Sequence, residues 1–106
     1  MKIHNKLCIG TVQLGQLYGP HKNKKKISLN ELSKFLRYLK KNKIRYIDTA
    51  INYNFDKRIK DLNLSLKDFK VITKIQSPNK FKSCYEKKTI FEIKKMLSNL
   101  RIKSFY

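Results

Sequence analysis

Apolar and polar positions along the chain follow two spacings in turn, one typical of strands and the other of helices. Residues 7–11 form a short apolar run around a glycine, which predicts a buried strand followed by a loop over residues 12–27. A helix is predicted from Ser28, because Ser28 and Glu31 fit a capping box in which each side chain satisfies a backbone amide of the first turn. Five apolar side chains recur at helical spacing and predict one core-facing stripe: Leu29, Leu32, Phe35, Leu36 and Leu39.

Beyond this helix the spacing changes several more times. Residues 44–48 and 69–74 are rich in β-branched and aromatic side chains and predict a second and a third strand, with a weak helix over residues 56–62 between them. A second strong helix is predicted after a polar stretch, with four apolar side chains on one face: Ile90, Ile93, Leu97 and Leu100. Residues 102–106 have the composition of the opening of a fourth strand. Strands that alternate with helices imply parallel βα units and an α/β fold.

The composition predicts a single folded domain over residues 1–106. The chain is 41% hydrophobic, which suffices for a packed core, and its 106 residues exclude a complete large enzyme. No apolar run approaches the roughly 18 to 20 residues of a membrane helix, and residues 1–10 lack the apolar segment of a signal peptide. We therefore predict a cytoplasmic protein without a membrane partner.

The positive charge is the strongest compositional bias. Lysine and arginine number 26 against 7 acidic residues, a formal net charge of +19, as expected of a protein that neutralises nucleic-acid phosphates. Only four of the 26 are arginines, however, and the lysines are spread along the chain beside many Asn and Ile residues, a pattern that an AT-rich genome imposes. The sequence therefore argues against a nucleic-acid partner. The lysine cluster within residues 22–26 is interpreted as a solvated loop.

The two cysteines, Cys8 and Cys84, are far apart and have no metal-ligand spacing. They support neither a zinc site nor a disulfide framework, so no metal is predicted. Both are expected to be small, mostly buried thiols.

Candidate chemistry is concentrated where the second and third predicted strands end. Asp48 and Tyr53 follow one strand and Lys74 ends the next, and the carboxyl ends of parallel strands are where ligands bind in such folds. A lysine cation beside a tyrosine makes the phenol a stronger acid, and a carboxylate beside that lysine keeps it charged. A tyrosine tuned in this way can act as a general acid.

These segments resemble the aldo-keto reductases. Residues 48–53, DTAINY, match the D-T-A-x-x-Y motif of that family, and residues 72–74, ITK, are similar to its T-K motif. Residues 7–15, LCIGTVQLG, with Tyr18-Gly19 behind them, look like its first strand and loop, and residues 97–101 resemble the segment before its fourth strand. The resemblance therefore extends along the whole chain.

The resemblance implies NAD(P)H-dependent reduction of a small carbonyl substrate, an aldehyde or ketone. Tyr53 would be the proton donor, Lys74 would tune it and Asp48 would pair with Lys74. The expected cofactor is NADP(H), with Gly10, Thr11, Val12 and Asp48 as its binding residues.

The fold that the resemblance implies is a partial TIM (βα)8 barrel, with about three βα units and the start of a fourth strand. The whole barrel needs about 250 residues. The chain would then be a truncated N-terminal half that lacks the catalytic histidine and the cofactor phosphate site of the family, so we expect it to be inactive alone. His4 and His21 do not match the position of that histidine, and residues 54–57 depart from the pattern that follows the catalytic tyrosine.

Two alternatives stay open from the sequence. One alternative to the reductase fragment is a half-barrel interaction module that needs a complementary chain, and the other is a basic nucleic-acid-binding protein. Open strand edges and an uncovered inner face also predict self-association or marginal stability of the isolated chain.

Overall fold

A computed structural model describes residues 6–16, 25–75 and 85–106. Within these residues, three short parallel strands lie side by side in chain order. The strands are β1 (Cys8–Gly10), β2 (Tyr46–Asp48) and β3 (Lys70–Ile72). The helices are α1 (Val12–Gly15), α2 (Leu29–Lys41), α3 (Phe55–Asp61) and α4 (Tyr85–Leu100), and a 3-10 turn covers Ile51–Tyr53.

The sheet packs its helices against one face. Ile9, Ile47 and Val71 occupy the middle of the three strands and are paired with one another in the parallel register. Ile47 and Val71 belong to the buried core and Ile9 packs against it. Since successive side chains of a strand point to opposite faces, the first and last residue of each strand point away from this core.

Helix α2 begins as its sequence predicts. Ser28 Oγ accepts a hydrogen bond from the Glu31 amide and the Glu31 carboxylate accepts one from the Ser28 amide, both at 3.1 Å, which confirms the capping box. The buried stripe consists of Leu32, Leu36 and Leu39, with Phe35 partly buried. Leu29 was expected in this stripe but is 37% exposed, because it occupies the first helical position at the edge of the core.

Helices α2, α3 and α4 all end in the same way. At each end, a backbone amide donates a hydrogen bond to the carbonyl five residues before it. The three bonds run from Ile44 to Leu39 at 3.0 Å, from Leu64 to Ile59 at 3.4 Å and from Ile102 to Leu97 at 3.1 Å. This is the pattern of the Schellman motif, which usually places glycine in a left-handed conformation just past the helix. Here that conformation is taken by Lys43, Asn63 and Arg101, with φ between 54° and 58°.

The partial TIM barrel expected from the resemblance is wrong. The described residues form a small α/β unit with a sheet of three strands and four helices, too small and with too few strands for such a barrel. Residues 102–106 were predicted to open a fourth strand, but they form none. Their described backbone contact with the sheet is one hydrogen bond, from the Tyr106 amide to the Val71 carbonyl at 2.7 Å, which is too little for a strand ladder. The half-barrel interaction module loses its structural premise with the barrel.

The burial predicted for Cys8 is also wrong. Cys8 is exposed, because it starts β1 on the face that the helices do not cover. On α4, the four apolar residues of the predicted face differ in burial: Ile90 is 53% exposed, Ile93 and Leu97 are partly buried, and Leu100, like the neighbouring Met96, belongs to the core. The predicted loop after β1 holds the short helix α1, and the weak helix is α3, whose Phe55 and Ile59 are fully buried.

Some predictions fall on residues that the structure does not describe. These are Cys84, His4, His21, the glycine Gly19, the lysines Lys22 and Lys24 and the polar stretch 77–79. Among the helices in the described ranges, none has the length and the apolar composition needed to cross a membrane.

Candidate functional site

The three predicted catalytic side chains lie together at the carboxyl edge of the sheet. Lys74 Nζ donates to both carboxylate oxygens of Asp48, at 2.7 Å to Oδ1 and 2.6 Å to Oδ2. The same ammonium lies 5.6 Å from the centroid of the Tyr53 ring, within the range of a cation–π interaction. The convergence of the three residues expected from the sequence is therefore present, with Lys74 between the carboxylate and the aromatic ring.

Asp48 is positioned by the end of β2 and by the loop that leaves β1. It is the last residue of β2 and is paired with Gly10 of β1 and Ile72 of β3. Thr11 follows β1, and its amide and its hydroxyl both donate to the Asp48 carbonyl, at 3.1 and 3.0 Å. Because these bonds use the backbone carbonyl, the carboxylate of Asp48 stays available to Lys74.

Tyr53 is held through the backbone of the turn that carries it. It closes the 3-10 turn Ile51–Tyr53, where its amide donates to the Ala50 carbonyl at 3.1 Å. Gly15 of α1 packs directly on this backbone: a Cβ atom there would overlap the Tyr53 carbonyl oxygen and lie 2.7 Å from the Phe55 amide nitrogen. A glycine at position 15 is therefore needed for the approach of α1 to the tyrosine turn.

Lys74 is tied to the same turn by a backbone hydrogen bond. The Ile51 amide donates to the Lys74 carbonyl at 3.3 Å, two residues beyond the end of β3. One step earlier, the Thr49 amide donates to the Ile72 carbonyl at 2.8 Å. These two bonds continue the β2–β3 pairing past the strands. They therefore hold the segment that carries Lys74 beside the turn that carries Tyr53.

The ion pair is partly open to water. The side chain of Lys74 is 49% exposed and that of Asp48 is 36% exposed, so the pair contributes little to the stability of the fold. The electric field of the ion pair reaches Cys8. This residue lies on the same face of the sheet, two positions before Gly10, which is paired with Asp48 between β1 and β2. Partial burial raises the pKa of the Cys8 thiol, the Asp48 carboxylate raises it further, and the Lys74 ammonium opposes the rise.

The predicted cofactor residues are not equally accessible. Gly10 is exposed, with nothing within 4 Å of a side chain built there, and Val12 and Asp48 are partly exposed. Thr11 is fully buried and its hydroxyl is bound to the Asp48 carbonyl, so its side chain offers no surface to a ligand. Within the described ranges, no three His, Cys, Asp or Glu side chains are grouped closely enough to hold a metal ion.

The structural roles of two residues near the Tyr53 turn, Asn54 and Arg58, are not predicted from the sequence. Asn54 adopts a left-handed conformation, with φ of 63°, and its side-chain amide donates to the Gly15 carbonyl at 3.2 Å. A signal for this conformation is present in the residue type, because asparagine is among the residues other than glycine that best tolerate it. Arg58 is buried and donates to the carbonyls of Leu14 and Ile27, a role that no spacing rule reveals.

Comparisons with family models, with curated proteins and with solved structures find no match to this chain. The aldo-keto reductase resemblance therefore depends on the three short motifs and on the geometry of the residues within them.

Proposed function

We propose that the chain carries the proton-donor site of an NAD(P)H-dependent carbonyl reductase of the aldo-keto reductase type. The observation that supports the proposal is the position of the Lys74 ammonium, which contacts both oxygens of Asp48 and faces the ring of Tyr53. An isolated tyrosine or lysine would not support this proposal in a chain with many lysines. The joint geometry at a strand edge is what favours a site of proton transfer.

Each side chain has a distinct role in this proposal. Tyr53 donates its phenolic proton to the oxygen of a small aldehyde or ketone, and the resulting phenolate is stabilised by the adjacent Lys74 cation. Asp48 fixes the position of the ammonium with two charge-assisted hydrogen bonds, and so acts as a positioning residue. Reduction of the carbonyl carbon requires a hydride, which NADP(H) supplies when it is bound.

The residues at this edge fit a nicotinamide in part. Gly10, Val12 and Asp48 offer accessible surface beside the proposed proton donor, whereas the buried Thr11 side chain does not. Gly10 and Val12 would therefore hold the ring through backbone and apolar contacts. Thr11 would contribute indirectly, because its hydroxyl holds the backbone carbonyl of Asp48.

Binding of a carbonyl compound can be tested by NMR of chains labelled in tyrosine and lysine side chains, with acetophenone as the probe. We expect saturable shifts of the Tyr53 ring and Lys74 side-chain signals, because the carbonyl oxygen is placed between them. The Tyr53→Phe variant should lose the Lys74 response. Tyr38→Phe is the matched control, since Tyr38 is 60% exposed on α2 and takes no part in the site.

The outcomes separate the carbonyl site from the cofactor. No saturable response at Tyr53, or an equal response at Tyr38, contradicts the proposal. A second titration with NADPH should shift the backbone signals of Gly10 and Val12. If acetophenone shifts Tyr53 and NADPH shifts neither of those residues, the cofactor assignment is wrong and the carbonyl-binding part stands.

A further inference from the structure

A concave surface lies on the helical side of the molecule, and Asn54, the residue after Tyr53, is among the residues that line it. This cleft of about 530 Å³ is bounded by the segment that leads into α2, by α3 and by α4. Its volume is within the range of pockets that bind small molecules. Among the described residues, Asp61 is the single lining carboxylate, and five cations line the cleft: Lys26, Lys57, Arg58, Lys60 and Lys95.

Arg58 distinguishes this cleft from an ordinary lysine-rich surface. It is only 7% exposed, and its two terminal nitrogens donate to the carbonyls of Leu14 (at 2.7 Å) and Ile27. The ion pairs found among the described residues are Lys40–Asp68 and Lys74–Asp48, so no described carboxylate lies within 4 Å of Arg58. Backbone carbonyls satisfy hydrogen-bond donors without neutralising a full charge, and a buried charge of this kind favours an anion beside it.

Two side-chain amides add neutral donors to the cleft. Asn54 and Asn99 both line it, and their amides donate to the Gly15 carbonyl and to Asp56 Oδ2 respectively. An amide group has two N–H bonds and a guanidinium has five, so the contacts within the described part of the chain leave further donors on both asparagines and on Arg58. The buried Asp56, which accepts a hydrogen bond from Asn99, is a second carboxylate next to a lining residue, and the five described cations still outnumber the two acidic groups.

A second basic cleft of the same volume provides the internal comparison. It is also about 530 Å³ and is lined by Lys40, Lys41, Lys43, Arg45 and Lys67 with Asp68. All of its cations are exposed, and its carboxylate is already paired with Lys40 at 2.7 Å. Charge alone would make the two clefts equivalent, so the buried arginine and the two amides are what single out the first.

We propose that the Arg58 cleft binds a compact anion with several phosphate groups, such as a polyphosphate or the diphosphate part of a small ligand. Arg58 and the two asparagine amides bind the inner phosphate, and Lys57, Lys60 and Lys95 bind the outer ones as exposed point charges. A bounded concave site suits a compact anion better than an extended nucleic acid, which binds along stripes of exposed cations. The lining residues of this cleft do not include any residue of the proposed carbonyl site, so the two proposals are tested independently.

The test measures binding of tripolyphosphate by calorimetry at physiological salt, with two double variants that remove the same charge. Lys57→Gln with Lys95→Gln should weaken binding by about tenfold or more, because two charge-assisted contacts are lost. Lys41→Gln with Lys67→Gln, in the second cleft, should leave the affinity nearly unchanged. All four lysines are exposed, so both variants are expected to fold.

A spectroscopic readout locates the anion without removing the buried arginine. In the wild-type chain, tripolyphosphate should shift the Arg58 side-chain signal and the side-chain amides of Asn54 and Asn99. Equal weakening by the two double variants would show that the anion responds to net charge alone and would overturn the proposal, as would the absence of binding at physiological salt. Tighter binding of a DNA duplex than of tripolyphosphate, again weakened equally by both variants, would assign these surfaces to nucleic acid instead.

Discussion

The two faces of the sheet differ in what covers them. On one face the central residues of the strands meet α2, α3 and α4, and Ile47 and Val71 are each 1% exposed. On the other face lie the exposed Cys8 and Lys70 and the partly exposed Asp48 and Ile72. The three strands are only three residues long, so a single step along the chain separates a core position from an open one.

The open face is nevertheless organised. The Tyr106 ring packs on the Tyr46 ring with centroids 5.5 Å apart, and the Lys70 ammonium lies 5.4 and 5.0 Å from the two centroids. Farther along the same face, Lys74 pairs with Asp48. The difference between the faces shows that hydrophobic burial builds the fold, while charged and aromatic groups occupy the surface where candidate chemistry is found.

Truncating one isoleucine on each face gives the largest expected contrast. Ile47→Ala should lower the free energy of unfolding by about 2–5 kcal/mol, because it opens a cavity in the core. Ile72→Ala removes the same atoms from a partly covered position and should cost less than half as much. Urea unfolding of both variants measures the difference, and equal losses would contradict the division into a packed and an open face.

The next contrast uses two glycines, Gly10 at the end of β1 and Gly15 at the end of α1. Gly15→Ala should lower the free energy of unfolding by about 1–3 kcal/mol, because the added methyl group overlaps the Tyr53 carbonyl. Gly10→Ala is the matched control, since nothing lies within 4 Å of its added methyl group, and it should change stability by less than about 0.5 kcal/mol. Similar stabilities of the two variants would mean that α1 does not constrain the tyrosine turn.

Neutralising Asp48 should affect the open face with little effect on stability. Asp48→Asn is expected to change the free energy of unfolding by less than about 1 kcal/mol, because the ion pair is half-exposed. It should lower the pKa of the Cys8 thiol, since the carboxylate that disfavours the thiolate is removed and Lys74 remains.

Alkylation of Cys8 near neutral pH measures that change, in a background with Cys84→Ser so that one thiol reports. The rate should rise in Asp48→Asn because the thiolate is the reacting form. Asp61→Asn on α3 is the control and should leave the rate unchanged. A slower reaction in Asp48→Asn would have the wrong sign for the proposed field.

The smallest effect is expected at the Lys40–Asp68 pair, which lies outside the candidate site. The hydrogen bond from Lys40 lowers the pKa of Asp68 below its ordinary value of 3.8, so its contribution to stability is present above that pH and is lost as the pH falls through the lower, folded value. Asp68→Asn should therefore change stability only slightly at neutral pH, and the difference from wild type should disappear in acid. Urea titrations of wild type and Asp68→Asn at neutral and acidic pH test this. A stability difference between the two that grows in acid would contradict the lowered pKa of Asp68.

Much of the packed face follows from local sequence rules. Ser28 and Glu31 specify the start of α2, and the spacing of Leu32, Leu36 and Leu39 specifies which side of it is buried. These signals are local and depend only on helical geometry. The strands were also placed to within a few residues of β1, β2 and β3.

The open face was harder to predict because its burial depends on what covers it. Cys8 has a side chain of the kind that usually enters a core, and only the position of neighbouring elements leaves it exposed. The convergence of Asp48, Tyr53 and Lys74 was predictable, since parallel strands bring their carboxyl ends together. The buried Arg58 was not, because its partners are backbone carbonyls far away in the sequence.

The matching ends of α2, α3 and α4 suggest how the chain could be engineered for higher thermal tolerance. A left-handed residue with a Cβ atom is strained by roughly 1–2 kcal/mol, less for asparagine, so Lys43 is the costliest occupant that has no described hydrogen bond from its side chain. Arg101 differs, because its guanidinium links the ends of α4 and α3 through Asn63. A glycine at position 43 should therefore raise the melting temperature by several degrees, and the same change at position 101 should gain less because it also breaks that link.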